Sequence, residues 1–451
     1  MLHSSSAVDL FCPAGSVRHP ARSPGQLMSS LSGALALGAG TVLALGLVGG
    51  YVRNRLWLAE STICLMLGVI LGPLMLGWAD LAAVSLDPFA LLKEAARLTL
   101  GISVMAAALR LPPRFVCQRA VGLAILLGPG MLLMFLSGSL LALTVLNQEP
   151  HVALLVGAAL APTDPVVAGA ITGGTAAKRL IPTRMRGLLT AESGANDGLA
   201  LLFVTLPILF LARAPVEALS EWLMRVLIWE VVGGVSTGLV LGWLAGQLLV
   251  WARRQPFSER HSLATIAVAL SLAVLAVVRL MGSDGILAVF VAGLAFNPAA
   301  SSGEARQEEI QVAVSRFFDL PVFILVGAML PWTAWNELGW RGLAFAVAVL
   351  FLRRVPWWVI LYRAVPGVKT ASEAVFLGWF GPIGVSTVYY LLLIRERTDL
   401  DQVWGIGTTA VFLSVLVHGT SATPLTHLIG RRIRSKPERN HGPPGTADLR
   451  E

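Results

Sequence analysis

Runs of about twenty apolar residues recur along nearly the whole 451-residue chain, and that length crosses a bilayer as an α-helix. They fall at 30–52, 57–77, 88–110, 118–146, 151–173, 184–211, 222–251, 262–281, 284–297, 309–330, 340–362, 371–394 and 402–428, each bounded by charge or by Gly and Pro clusters. The segment 284–297 is short, and the first half of 309–330 is amphipathic. Short segments alternating with period 2, which mark an outer-membrane barrel, are not evident. Only 13% of the residues are charged, against about 25% in soluble domains. A cytosolic enzyme, a nucleic-acid binder and a disordered chain are therefore excluded. The expected fold class is an all-α polytopic membrane protein of about thirteen transmembrane helices.

Charge placement gives the expected topology. With the loops numbered by the helices they join, the odd ones carry Arg53, Arg55, Arg110, Arg114, Arg119, Lys178, Arg179, Arg184, Arg186, Arg253, Arg254, Arg260, Arg306, Arg363 and Lys369. The even ones carry only Arg213, Arg395 and Arg397. Lys and Arg concentrate in cytoplasmic loops. This bias sets the odd loops inside, with the basic segment Arg431, Arg432, Arg434 and Lys436 beside them and the N-terminus outside. The same rule accounts for the net charge of +8 without a nucleic-acid partner. Residues 1–28 lack the continuous apolar core of a signal peptide. They read as a disordered tail, or as a stretch ahead of a true start near Met28. Residues 29–430 form one membrane domain and 431–451 a basic cytoplasmic tail. Cys12, Cys64 and Cys117 form no CxxC or Cys/His cluster, so neither a disulfide framework nor a zinc site is expected.

Ionisable groups inside apolar segments cost about 2.5–3.5 kcal/mol each on insertion scales, so those that persist need a partner or a function. Here they are Glu60, the trio Lys93, Glu94 and Arg97, Asp164, Glu192 with Asp197, Arg279, Asp319, Arg353 with Arg354, Glu373 and His418. The stretch Ala161-Pro-Thr-Asp-Pro-Val166 is the most informative. Pro165 lacks an N–H and disfavours helical geometry at Asp164, so the helix is expected to break there. Freed carbonyls, the Thr163 hydroxyl and the Asp164 carboxylate would make an oxygen-rich cradle suited to a hard cation. The competing reading is a proline kink with Asp164 as a helix cap.

The second stretch is Ala191-Glu-Ser-Gly-Ala-Asn-Asp-Gly198. On a helix, Ser193 and Asp197 share one face while Glu192 and Asn196 share the next. Asp197 is thus free to face a site, and Glu192 to seek a basic partner. Arg353 and Arg354 are the candidates, with Arg353 favoured. Gly194 and Gly198 permit close approach of another helix. Elsewhere blander roles are expected. Glu94 and Arg97 neutralise each other at i,i+3; Glu60 and Glu373 sit at interfacial helix ends; Arg279 snorkels; and His418 is simply hydrogen-bonded.

These residues resemble the monovalent cation:proton antiporters, the sodium/proton exchanger superfamily, in its NhaP-like branch related to fungal plasma-membrane exchangers. The signature is Thr163-Asp164-Pro165 followed about thirty residues later by Glu192-Ser193 and Asn196-Asp197. Gly68-Val-Ile-Leu-Gly-Pro73, Phe323-Ile-Leu-Val-Gly-Ala328, the Arg353 region and Gly378-Trp-Phe-Gly-Pro-Ile-Gly384 add to it. Other branches carry an Arg in that last stretch, where Pro382-Ile383 stands here. The resemblance implies inverted repeats, a core domain with two interrupted, crossing helices, and a second domain forming a homodimer interface. It further implies that Asp164 and Asp197 bind cation or proton alternately, that Thr163 and Ser193 help coordinate the ion beside Asn196, and that Glu192 pairs with Arg353 or Arg354.

The expected activity is secondary exchange of Na⁺, K⁺ or Li⁺ for H⁺, serving pH and cation homeostasis, in the bilayer of the cell membrane and with no cofactor. Burial and a second nearby carboxylate both disfavour the bare charged form of Asp197, so cation and proton compete to neutralise it. An intramembrane aspartyl protease could use two membrane aspartates, but no GxGD sequence occurs. A cation channel or a solute symporter could use the same aspartates; no aromatic and polar cluster suggests an organic substrate. No GxxxxGK[ST] run offers energy coupling.

Overall fold

The computed structural model describes residues 24–434, apart from 74, 78–86, 113, 173, 256–261 and 301–303. All the regular structure among these residues is helical. The chain opens with α1 (Pro24–Tyr51), α2 (Glu60–Leu71) and α3 (Pro88–Arg110). A longer span, α4 (Ala120–Val145), contains a wide turn at Leu126–Gly130 around Pro129. There follow α5 (Pro150–Leu160), α6 (Pro165–Thr172), α7 (Thr183–Ala212) and α8 (Pro215–Arg253). The second half holds α9 (Leu263–Leu280), α10 (Ile286–Ala300), α11 (Glu304–Ala328), α12 (Trp332–Leu352) and α13 (Val355–Leu361). It closes with α14 (Ala371–Trp379), α15 (Val385–Thr398) and α16 (Asp401–Arg434).

Seven of these stretches, among the described residues, are long and apolar enough to cross a membrane. They are α4, α5 running on to Gly169, α7, α8, α9, α12 through Ala364, and α16. The part of α1 from Ala36, α2 and α10 are shorter apolar helices.

Each apolar segment expected from the sequence contains helix, and the differences are local. The first helix begins at Pro24, inside the stretch read as a tail; residues 1–23 and 435–451 lie outside the described residues. The segment expected at 222–251 starts at Pro215 and is a π-helix over Trp222–Gly233. The segment expected at 371–394 is two helices, α14 and α15, parted by Phe380–Gly384. Gly381 and Pro382 account for that break: proline cannot donate to the preceding turn, and glycine weakens it.

Helices meet closely where glycine removes the side chain, the arrangement that favours association between apolar helices. Gly234, Gly238, Gly242 and Gly246 recur every fourth residue and form one buried stripe on α8. A Cβ at Gly238 would strike the Ala288 carbonyl of α10, and one at Gly242 the Ala292 carbonyl. Gly68 of α2 and Gly327 of α11 lie against each other, as do Gly138 of α4 and Gly157 of α5. These contacts set a rigid frame around α7, whose residues from Gly187 to Gly198 are all buried. Gly242→Leu is expected to pry α8 from α10 at a cost of about 1–3 kcal/mol. Thermal unfolding of the detergent-solubilised protein checks this, and an unchanged midpoint would contradict the packing described.

Candidate ion-binding site

The chain between α5 and α6 crosses the chain between α14 and α15, and their backbones bond directly: the Asp164 N–H donates to the Pro382 carbonyl at 2.9 Å. Four half-helices therefore end at one place. The N-termini of α6 and α15 both point to Asp164. Its Oδ1 accepts the Val166 N–H at 2.7 Å, and its Oδ2 accepts the Val385 N–H. A carboxylate suits such ends, which carry partial positive charge. A Cβ on Gly384 would occupy the place of the Asp164 carboxylate, so glycine is required there for the crossing to close.

The opposite ends are held by cationic side chains. Arg353 Nη1 donates to the carbonyls of Leu160, Ala161 and Pro162 at 2.5, 3.1 and 3.1 Å, and its Nη2 to Gly381 at 2.6 Å. Arg354 makes a bidentate pair with Glu192, Nη1 to Oε1 at 2.6 Å and Nη2 to Oε2 at 2.7 Å, and also donates to Leu377 O. Both arginines are 2% exposed and Glu192 1%. Arg354, and not the favoured Arg353, is thus the partner of Glu192. The two guanidiniums diverge because Arg353 ends α12 with helical geometry while Arg354 lies in the link to α13. Consecutive residues there face different helices.

Along α7, Asn196 latches onto the break. Its Oδ1 accepts the Thr163 N–H at 3.2 Å, and its Nδ2 donates to Thr163 Oγ1 at 2.8 Å. The next residue, Asp197, lies within electrostatic range of Asp164. Asp197 is fully buried; among the described residues no backbone amide or cationic side chain bonds its carboxylate, and the Ser386 hydroxyl lies beside it. Ser193, one turn earlier, donates to Leu189 O at 2.8 Å and keeps its oxygen lone pairs. Asp164, Asp197, Thr163, Ser193 and Asn196 are all at most 3% exposed. The site therefore holds one carboxylate engaged by backbone amides and one left bare. A cation or a proton at Asp197 would remove an unpaired buried charge that costs several kcal/mol.

Several groups at the site carry no signal in the sequence taken residue by residue. Ser386 lies beside Asp197, and Thr387 follows it; both hydroxyls are buried without hydrogen-bond partners among the described residues. The Tyr390 hydroxyl donates to the Asp197 backbone carbonyl at 2.5 Å. Their position directly after a Gly-Pro-Ile-Gly break is the available cue. Asp319 of α11, a charge inside an apolar segment with no role expected from its pattern, accepts from Ser103 of α3 at 2.7 Å.

The remaining charges find partners at the rim. Glu94 accepts from Arg97 at 3.0 Å, as expected from their spacing, but also from Arg279 at 2.6 Å. Arg279, half exposed in the last turn of α9, thus also has a partner at the helix end. Glu373 pairs with Arg184 at 2.7 Å and Glu60 with Arg316 at 3.0 Å. His418 Nε2 donates to the Trp379 carbonyl at 2.8 Å while Nδ1 meets Ser414, a hydrogen-bonded His as expected.

Fold and site together define an integral membrane protein built around crossing, interrupted helices that enclose acidic side chains. The profile of the family described as sodium/hydrogen exchanger, transmembrane, matches residues 41–428, and the chain belongs to that family. It is 29% identical over 424 residues to Na(+)/H(+) antiporter 2 of Zygosaccharomyces rouxii, covering 86% of this chain and 51% of that protein. It is 28% identical to the Na(+)/H(+) antiporter of Schizosaccharomyces pombe, covering 84% of this chain and 89% of that one. The chain spans about half the length of the first relatives it matches. In fold it is similar to the sodium proton antiporter MjNhaP1 from Methanocaldococcus jannaschii, with a TM-score of 0.70 at 18% identity, covering 92% of this chain and all of that one.

The buried pair Glu192–Arg354 gives a direct test of this geometry. Glu192→Gln or Arg354→Gln alone leaves a buried charge without its partner, at an expected cost of about 3–5 kcal/mol, and the double variant should lose less than either single one. Thermal unfolding in detergent reads this; additive losses would argue against a shared pair.

Proposed function

We propose that this chain is a secondary transporter that exchanges a monovalent cation (Na⁺, K⁺ or Li⁺) for protons at Asp197, and that it is not an enzyme. The observation that carries the reading is the Asp197 carboxylate, wholly buried near Asp164 and bonded by no backbone amide or cationic side chain among the described residues. Family membership and the names of the yeast relatives support it. Asp197 is the carrier, Asp164 the co-ligand and organiser of the crossing, and Thr163, Ser193 and Asn196 complete the oxygen set. Proton and cation compete because each neutralises the same carboxylate. The occupied site crosses the low-dielectric barrier more readily than the bare anion, which makes the two fluxes obligatory partners.

The same reading assigns residues 29–430 to the transporting domain and 431–451 to a cytoplasmic tail, with the N-terminus outside. Plasma-membrane residence, assembly as a homodimer and a part in pH and cation homeostasis belong to it too, resting on the charge bias of the loops and on the family resemblance.

Proteoliposomes loaded with a pH-sensitive dye test the proposal. Addition of each alkali cation in turn to the wild-type protein should dissipate an imposed pH gradient. Asp197→Asn should abolish the response and Asp164→Asn should do the same. Wild-type exchange by the folded Asp197→Asn protein would remove the mechanism.

A further inference from the structure

Arg353 stands apart from the other buried charges. Its neighbour Arg354 is balanced by Glu192, whereas the four hydrogen bonds of Arg353 all go to backbone carbonyls. Those carbonyls come from both breaks: Leu160, Ala161 and Pro162 at the end of α5, and Gly381 just past α14. Helix C-termini carry partial negative charge, and carbonyls released by a break have no water to turn to in an apolar interior. A guanidinium offers a planar fork of donors able to serve several acceptors at once. The stretch from Gly378 to Gly384 contains no basic residue of its own. The positive charge at the crossing therefore comes from α12.

Asp164 does the complementary work at the other two ends, and the two residues are joined through the short segments between them. Arg353 holds the Pro162 carbonyl, two residues before Asp164. It also holds Gly381, directly before Pro382, whose carbonyl accepts the Asp164 N–H. Arg353 thus bonds the chain on both sides of the Asp164–Pro382 contact.

We propose that Arg353 is a positioning residue for the ion site: by bonding the carbonyl ends of both broken helices with one guanidinium, it sets the separation of the Asp164 and Asp197 carboxylates and hence the size of the cation cradle. The inference rests on the exchange reading above and deepens it. Removing the guanidinium lets the two breaks part, so the cradle widens and the cation is held less well, while Asp197 itself is still present to carry a proton.

The experiment compares Arg353→Gln and Arg353→Lys with the wild-type protein in dye-loaded proteoliposomes, titrating Na⁺, K⁺ and Li⁺ separately across a pH series. Protein amount is normalised by the folded fraction on size-exclusion chromatography. Arg353→Gln is expected to raise the apparent KM for the preferred cation by about tenfold or more and to narrow the KM ratios among the three cations. Arg353→Lys keeps the charge with fewer donors and should fall between wild type and Arg353→Gln. If both folded variants keep the wild-type KM, cation ratios and pH profile, differing only in yield or melting temperature, Arg353 is merely structural and the proposal is overturned. If Arg353→Gln does not fold, the Arg353→Lys protein decides: a raised KM with narrowed ratios supports the proposal, and unchanged values overturn it. Failure of the exchange reading looks different, since the wild-type protein would then give no cation-dependent response.

Discussion

A helix interrupted inside an apolar interior exposes carbonyls at one half-helix and amides at the other, with no water nearby to take them up. Two such interruptions lie against each other in this protein, so amide ends face amide ends and carbonyl ends face carbonyl ends. That juxtaposition would be repulsive without charges of opposite sign set into it. Asp164 accepts from the amides of α6 and α15, and Arg353 donates to the carbonyls beyond α5 and α14. Arg354 and His418 take further carbonyls of α14, at Leu377 and Trp379. Everything else at the site is arranged around this balance.

The balance separates two aspartates of identical chemistry. Asp164 is engaged on both oxygens by backbone amides, whereas among the described residues no backbone amide engages Asp197 and the Ser386 hydroxyl lies beside it. An engaged carboxylate is tied into the frame yet keeps lone pairs that a shared ion can use. On the exchange reading proposed above, a buried carboxylate without such amides gains from whichever cation reaches it, proton or metal. Asn196 makes the difference possible, because its amide is occupied with Thr163 and so turns the following residue towards the crossing. Exchange chemistry needs such a group beside a rigid frame, and the frame comes from glycine-mediated contacts between α8 and α10, α2 and α11, and α4 and α5.

Ion pairs outside the crossing tie its helices to their neighbours. Glu373 at the start of α14 is held by Arg184 at the start of α7, so the two elements that present the site are clamped at one end as well as at the break. Lys93 of α3 meets Glu396 near the end of α15 at 2.6 Å. Pairs of this kind, partly exposed, contribute modestly to stability. Their weight here is geometric, since one ties α7 to α14 and the other α3 to α15.

The sequence by itself determined the bilayer-length apolar segments, the break at Asp164 and the carboxylates of α7, because each is written in a local rule: hydrophobic length, the covalent restriction of proline, and the cost of charge in an apolar helix. It also carried the family signature in Thr163-Asp164-Pro165 and Asn196-Asp197. Residue by residue it offered no account of the second break, since Gly381 and Pro382 sat inside an otherwise continuous apolar run. Which of two adjacent arginines meets Glu192 was decided only by the fold. That choice depends on where α12 ends and on the rotation of the chain between Arg353 and Arg354. Ser386, Thr387 and Tyr390 came to Asp197 in the same way, brought across nearly two hundred residues by the meeting of the broken helices. Local chemistry names the groups able to bind an ion; only the packing of distant helices determines which of them remain unpaired and face one another.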